Sequence, residues 1–263
     1  MSAEAVFLGI DVGSTAAKAV VVDGAGAVRG RAVHPSGTNL AASARAAADG
    51  ALAAAGGPPV ARCVATGFGR RNAAFADDTV TEITCHARGA AAGVKPPFTL
   101  VDIGGQDNKV IRVGRDGRVE DFTMNRKCAA GTGAFLEEIA RRLGLAIGDL
   151  EPAARRAAEE AEIGSFCTVF AATEVLQRIR QGTPVEAIAR GALRSVVRRV
   201  AEMAEFRGAV ALSGGVAAHH PLVAELLAEE LGTPVAVVPD PQCAGALGAA
   251  LIALGAGKAS TAT

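Results

Sequence analysis

Two stretches set an aspartate at the end of an apolar run and follow it with glycine: GIDVGSTAAK, residues 9–18, and VDIGGQD, residues 101–107. Glycine lets the backbone close on a phosphate, and amides and hydroxyls can then donate to it. In the first stretch those groups belong to Gly13, Ser14 and Thr15. Asp11 stands ready to hold a water on Mg2+, an ion that keeps several waters and takes few carboxylates. Lys18 either adds positive charge there or lies on the exposed face of a strand. The second stretch offers Asp102, Gly104, Gly105 and Gln106 in the same order. A third, ALSGGVA at 211–217, ends a strand in Gly214 and Gly215, whose missing side chains leave room for a flat base and ribose. Open α/β sheets bind ligands at strand ends. In this order the three turns point to a nucleotide, its polyphosphate gripped from opposite sides by the first two. No GxxxxGKS or GxxxxGKT loop is present.

Five cysteines divide into two kinds. Cys63, in the strand pattern VARCVAT, and Cys243, in the helical CAGALGAAL, read as small buried hydrophobes. Cys85, beside His86, reads as a helix residue packed under its lobe. Cys128, in NRKCAAGTGAF, and Cys167, in EIGSFCTVFAATEVL, stand instead where helices begin. The partial positive charge of a helix N-terminus lowers a thiol's pKa. Such a thiol can be an inert core atom, a nucleophile, half of a disulfide or a metal ligand. Thiolates bind soft metals and iron–sulfur clusters. Two of them do not complete a four-thiolate site, but a twofold homodimer contributing two from each subunit does. The turn after Cys128, with Gly131, Thr132 and Gly133, joins the cofactor-binding set.

Other polar residues are weaker candidates. Asp107 reads as a solvated turn carboxylate before it reads as a base, and Glu174 as a cleft residue or an ion-pair partner equally. His219 and His220 point apart if helical and read as surface. Arg70 and Arg71 read as a solvated loop.

Positioning these turns requires a repeated framework. Residues 5–35 run strand, acidic-glycine turn, strand, turn, strand; an Ala-rich helix follows at 39–55, then a strand VARCVAT and a short helix TEITCHARGAAAGV. From FTLVDIGGQDNKVIRVGRDGRVEDFTMN the same meander restarts. A supersecondary repeat at this distance implies two related lobes, expected at residues 1–95 and 96–263. The second then becomes helical near 133–143, 149–162, 168–181, 184–206 and 219–231, around the strands 209–215 and 235–238. The last helix, CAGALGAALIAL, suits close packing on a sheet.

Composition excludes several classes. There is no Trp or Tyr and only nine Phe, so aromatic platforms for single-stranded nucleic acid are lacking. Lys plus Arg and Asp plus Glu are 27 each, leaving no net field for DNA or an anionic membrane. The expectation is a cytoplasmic protein with no signal peptide, no membrane span and reduced cysteines.

The three glycine turns resemble those of the actin/Hsp70/sugar-kinase superfamily, an α/β fold with a ribonuclease H-like repeat. There, two lobes close over ATP and Mg2+. The resemblance assigns Asp11, Ser14 and Thr15 to the first phosphate motif; Asp102, Gly104, Gly105 and Gln106 to the second; and Gly214 and Gly215 to the adenosine motif. It makes Gln106 the residue that orients the attacking water, with Asp102 beside it in catalysis. MNRKCAAGTGAFLE and FCTVFAATEV, with GIDVGSTAAK, VDIGGQDNKVI and LSGGVA, further resemble the ATPase component of 2-hydroxyacyl-CoA dehydratases. That family, of the BadF/BadG/BcrA/BcrD type, includes the ATPase subunits of ATP-dependent benzoyl-CoA reductases. It implies one [4Fe-4S] cluster per dimer, ligated by Cys128 and Cys167 of two like subunits or of a close paralogue. It also implies ATP/ADP as the nucleotide, reduction by ferredoxin or flavodoxin, and electron delivery to an acyl-CoA dehydratase or reductase. The competing readings are a benzoyl-CoA reductase subunit, a small-molecule kinase with inert cysteines, and a filament-forming actin relative.

Overall fold

The computed structural model describes residues 5–125, 129–164 and 168–260, so Cys128 and Cys167 lie outside the described residues. The chain forms two compact units: Met1–Pro97 with Val113–Glu120 and Val238–Thr263, and Phe98–Arg112 with Asp121–Val237.

The first unit is built on β1 (Val6–Val12), β2 (Ala16–Val22), β3 (Val28–Pro35), β4 (Val60–Thr66) and β5 (Asp78–Thr79), in the sheet order β3-β2-β1-β4-β5. β1 is antiparallel to β2 and parallel to β4. Because both sheet faces are covered, β1 and β2 read as nearly continuous apolar runs rather than alternating ones. Val6, Leu8, Ile10 and Val12 join the core of α1 (Leu40–Ala54), whose buried stripe is Ala44, Ala47, Ala48 and Ala51. Asn39 caps α1 by accepting from the Ala42 amide at 3.0 Å. Val20, Val22 and Phe7 pack instead on α9 (Ala244–Ser260).

α9 also meets α2 (Glu82–Ala90), which Thr81 caps. The two helices approach backbone to backbone. A Cβ at Gly248 would overlap the Cys85 carbonyl oxygen, and one at Gly89 would overlap that of Ala244. The small-residue run CAGALGAAL therefore brings α9 against both a strand and a helix.

The second sheet is built of β6 (Phe98–Ile103), β7 (Asn108–Val113), β8 (Val119–Asn125), β9 (Val210–Ser213) and β10 (Val235–Val237), in the order β10-β9-β6-β7-β8. β6 is buried along its whole length and runs parallel to β9. Helices follow at α3 (Gly133–Arg142), α4 (Leu150–Arg155), α5 (Thr168–Arg180), α6 (Val185–Ala201), α7 (Gly215–His219) and α8 (Leu222–Leu231). Their apolar faces meet in one core around Phe135, Leu136, Ile139, Leu193 and Leu226.

Three helices differ from the sequence expectation, and the simplest case is the one expected at 184–206, which ends at Ala201. The helix expected to run to 162 stops at Arg155, because the next segment packs on α6: Ala161 donates to the Ala187 carbonyl at 3.1 Å, and Gly191 leaves room for the Ala161 carbonyl. The helix expected at 219–231 is preceded by α7 and restarts after Pro221, where a missing amide is harmless at a helix start. Among the described residues, no helix is long and apolar enough to cross a membrane.

Candidate functional site

In the first unit the β1–β2 hairpin carries the first acidic-glycine turn. Its ends are closed by Gly13 donating to the Ala16 carbonyl at 3.1 Å. Ser14 and Thr15 lie exposed at the tip, while Asp11 is buried at its base. Asp11 is the register partner of Lys18, and directly opposed residues of an antiparallel pair share a face. The Lys18 ammonium accordingly donates to Asp11 Oδ2 at 3.1 Å. From the other side α9 approaches through Gly245, where a Cβ would stand 2.9 Å from His86 Nε2 and 3.3 Å from Asp11 Oδ2. His86, the neighbour of Cys85, is buried as well, on the side of Gly245 where Asp11 Oδ2 also lies.

In the second unit the β6–β7 turn repeats this device. Gly104 donates to the Asp107 carbonyl at 2.9 Å, as Gly13 does to Ala16. Gln106 is exposed at the tip. Lys109 Nζ lies 3.2 Å from Asp102 Oδ2 and 2.7 Å from Asp107 Oδ1. Asp107 is thus an ion-pair partner rather than a purely solvated carboxylate. Lys109 was missed in the sequence because KVIRV reads as a strand with one outward lysine. The signal was nonetheless present: Asp11 and Lys18, like Asp102 and Lys109, are separated by seven positions, and each pair is an ion pair across the arms of a hairpin.

The third glycine turn adjoins the second. β9 ends with Ser213 as the register partner of Asp102, and Ser213 Oγ donates to Asp102 Oδ1 at 2.9 Å. Gly214, at φ 102°, turns the chain into α7; a side chain there would be strained and would overlap the Ile103 backbone.

The segment after Cys128 is fastened to the same hairpin. Gly133 donates to the Gly104 carbonyl at 2.9 Å and Ala134 to that of Gly105 at 2.8 Å. Asn108 Nδ2 donates to the Gly131 carbonyl at 2.6 Å, and Thr132 Oγ1 closes its own turn on the Ala129 carbonyl at 2.6 Å. The leading amides of α3 are therefore engaged with the β6–β7 turn itself. Seven positions after Cys167 in the sequence, Glu174 accepts from the Gly164 amide at 2.8 Å and pairs with Arg178 at 3.7 Å. Of its two sequence readings, an ion-pair partner is the one observed.

His219 is exposed as expected, but His220 is buried at 3 %. Burial holds its pKa below the usual value, against the pull of nearby Glu151. Arg70 donates to the Gly67 carbonyl at 3.1 Å.

The described cysteines are poor ligands. Cys63 and Cys85 are buried, and desolvation pushes both thiols up to about 12; Cys243 is raised by the same cause. No cluster of three or more metal-ligating side chains occurs among the described residues.

Known proteins resemble this chain over nearly its whole length. The chain is 42% identical over 253 residues to the activator of lactoyl-CoA dehydratase of Anaerotignum propionicum, covering 94% of this chain and 96% of that one. It superposes on the Clostridium difficile activator of 2-hydroxyisocaproyl-CoA dehydratase, solved with bound ADPNP, at TM-score 0.91 and 33% identity, covering 98% and 97% of the two chains. A Streptomyces griseus ROK-family glucokinase shares the fold alone, at TM-score 0.58 and 16% identity, over 94% and 99% of the chains. The α/β actin-like fold expected from the glycine turns is the one observed. With its residues 8–253 matched by the family model, the chain belongs to the BadF/BadG/BcrA/BcrD ATPase family.

Proposed function

We propose that this protein is an ATP-hydrolysing activator that passes low-potential electrons to a CoA-thioester dehydratase. The observation that carries the proposal is the near full-length similarity to the lactoyl-CoA dehydratase activator. The duplicated carboxylate–lysine hairpins support its nucleotide half. Asp11 and Asp102 are the carboxylates that would each hold water on Mg2+, an ion that would neutralise polyphosphate charge. The amides of Gly13, Gly104 and Gly105 and the hydroxyls of Ser14 and Thr15 donate to phosphate, Gly214 and Gly215 admit the adenosine, and Gln106 orients the attacking water. Lys18 and Lys109 pair with the two carboxylates and hold them in place.

The iron–sulfur half rests on the donor set. Three of the five cysteines are buried with thiols held protonated. That leaves Cys128 and Cys167, from each of two like subunits, to hold a [4Fe-4S] cluster. Such a cluster stores and releases one electron at low potential. The electron donor is a ferredoxin or flavodoxin, the acceptor an acyl-CoA dehydratase, and the setting the cytoplasm.

Anaerobic purification tests the proposal. The wild type should be brown, with about four irons per dimer as the four-thiolate rule requires. Cys128→Ala and Cys167→Ala should each lose the iron and keep ADP affinity. A colourless wild type that phosphorylates a sugar or an acid would instead make the protein a kinase. In the same preparation Gln106→Ala should slow ATP hydrolysis by about tenfold to a hundredfold, the scale of losing one positioning contact, with ADP affinity within about threefold. Unchanged turnover would remove Gln106 from the reaction.

A further inference from the structure

The two hairpins are near copies, yet their carboxylates are held differently. Asp11 and Asp102 each pair with a lysine seven positions on. Each also stands beside a hydroxyl residue at the end of the adjacent parallel strand: Thr66 of β4 is the register partner of Asp11, and Ser213 of β9 that of Asp102. Only the second hydroxyl reaches its carboxylate. Ser213 Oγ donates to Asp102 Oδ1 at 2.9 Å, whereas Thr66 Oγ1 makes no hydrogen bond to Asp11.

Asp102 therefore has a donor on each oxygen, Ser213 on Oδ1 and Lys109 on Oδ2. Ser213 is fully buried and Asp102 is 2 % exposed, so water does not compete for these bonds. A carboxylate offers about four lone-pair sites. The two donors, one on each oxygen, fix the orientation of the group. Ser213 is also the residue immediately before Gly214 and Gly215. The strand that ends in the adenosine glycines thus fixes the rotamer of the carboxylate facing the phosphates.

We propose that Ser213 is a positioning residue for ATP hydrolysis, acting through Asp102, and that this bond sets the second carboxylate apart from the first. The inference rests on the proposed role of Asp102. Hydrogen bonds to a charged group are worth enough to change a rate about tenfold to a hundredfold. Ser213→Ala removes one oxygen and introduces no clash. In the anaerobically purified full chain it should lower kcat for ATP hydrolysis by about tenfold or more, leaving KM for ATP within about twofold. Ser213→Thr, which keeps the hydroxyl, should retain kcat within about threefold, and Thr66→Ala should leave it within about twofold of the wild type.

Three results would overturn the inference: wild-type kcat in Ser213→Ala, a loss confined to KM, or equal losses in Ser213→Ala and Thr66→Ala. Asp102→Asn separates the two levels of the argument. If Asp102→Asn loses turnover while Ser213→Ala keeps it, only the role of Ser213 falls. If Asp102→Asn itself turns over normally, the assignment of Asp102 falls and Ser213 with it.

Discussion

Lys109→Met is expected to destabilise the second unit by about 3–5 kcal/mol, the usual result of removing one partner from a buried ion pair. The Lys109 side chain is 4% exposed and bridges Asp102, 3% exposed, and Asp107, 27% exposed. Without the ammonium, two carboxylates are left close together, one of them deeply buried. The methionine fills most of the lysine's volume, so the loss reports charge and not a cavity. Adding Asp102→Asn to Lys109→Met should recover most of the stability, since no uncompensated charge then remains buried. Chemical denaturation of the single and double variants measures this directly. Additive losses in the double variant would show that the pair is not coupled in the folded state. Lys18→Met should cost less, because the Lys18 side chain is 16% exposed and water partly replaces it.

The same substitution is expected to act with opposite signs at two places on α9. Gly248→Ala puts a methyl where the Cys85 carbonyl oxygen of α2 already lies. The clash is with backbone, so no side chain can swing away, and α2 and α9 must separate over the sheet they cover. Overpacking of this kind costs about 1–3 kcal/mol or more. Gly255, seven residues on in the same helix, is exposed with nothing within 4 Å of an added Cβ. There, Gly255→Ala should gain about 1 kcal/mol from helix propensity alone. Thermal unfolding of the two variants should therefore fall on opposite sides of the wild type. A Gly248→Ala protein that melts with the wild type would mean that the helices do not approach so closely.

Much of the site was legible because its chemistry is local. An aspartate, a glycine and small donors at the end of an apolar run favour a tight turn, and both hairpins formed where the residues implied. Lys18 and Lys109 were harder to place. A strand lysine reads as a solvent-facing residue until the register shows which partner it faces, and register is a property of two strands. Ser213 was hidden for the same reason: it is 111 positions from Asp102, and only the parallel pairing of β9 with β6 brings them together. His220 was misjudged because the neighbouring histidine suggested a shared surface role, whereas it stands outside the helix, at the C-cap of α7, and is buried there. The premature end of α4 likewise follows from the docking of residue 161 on α6, a contact that helix propensity does not encode. Cys128 and Cys167 were singled out from their positions before predicted helices, and their assignment rests on the iron measurement.

The bonds from Gly133 and Ala134 to the carbonyls of Gly104 and Gly105 have a mechanical consequence. They root the base of α3 in the tip of a hairpin, so the helix and the turn pivot as one piece. α3 spans 10 residues, or about 15 Å at 1.5 Å per residue. A rocking of the hairpin by about 5° would carry the far end of that lever by about 1 Å. The chain just before its fulcrum contains Cys128, five positions ahead of Gly133. A shift at the hairpin tip would thus be handed to the start of α3 by two backbone hydrogen bonds, whatever side chains surround them.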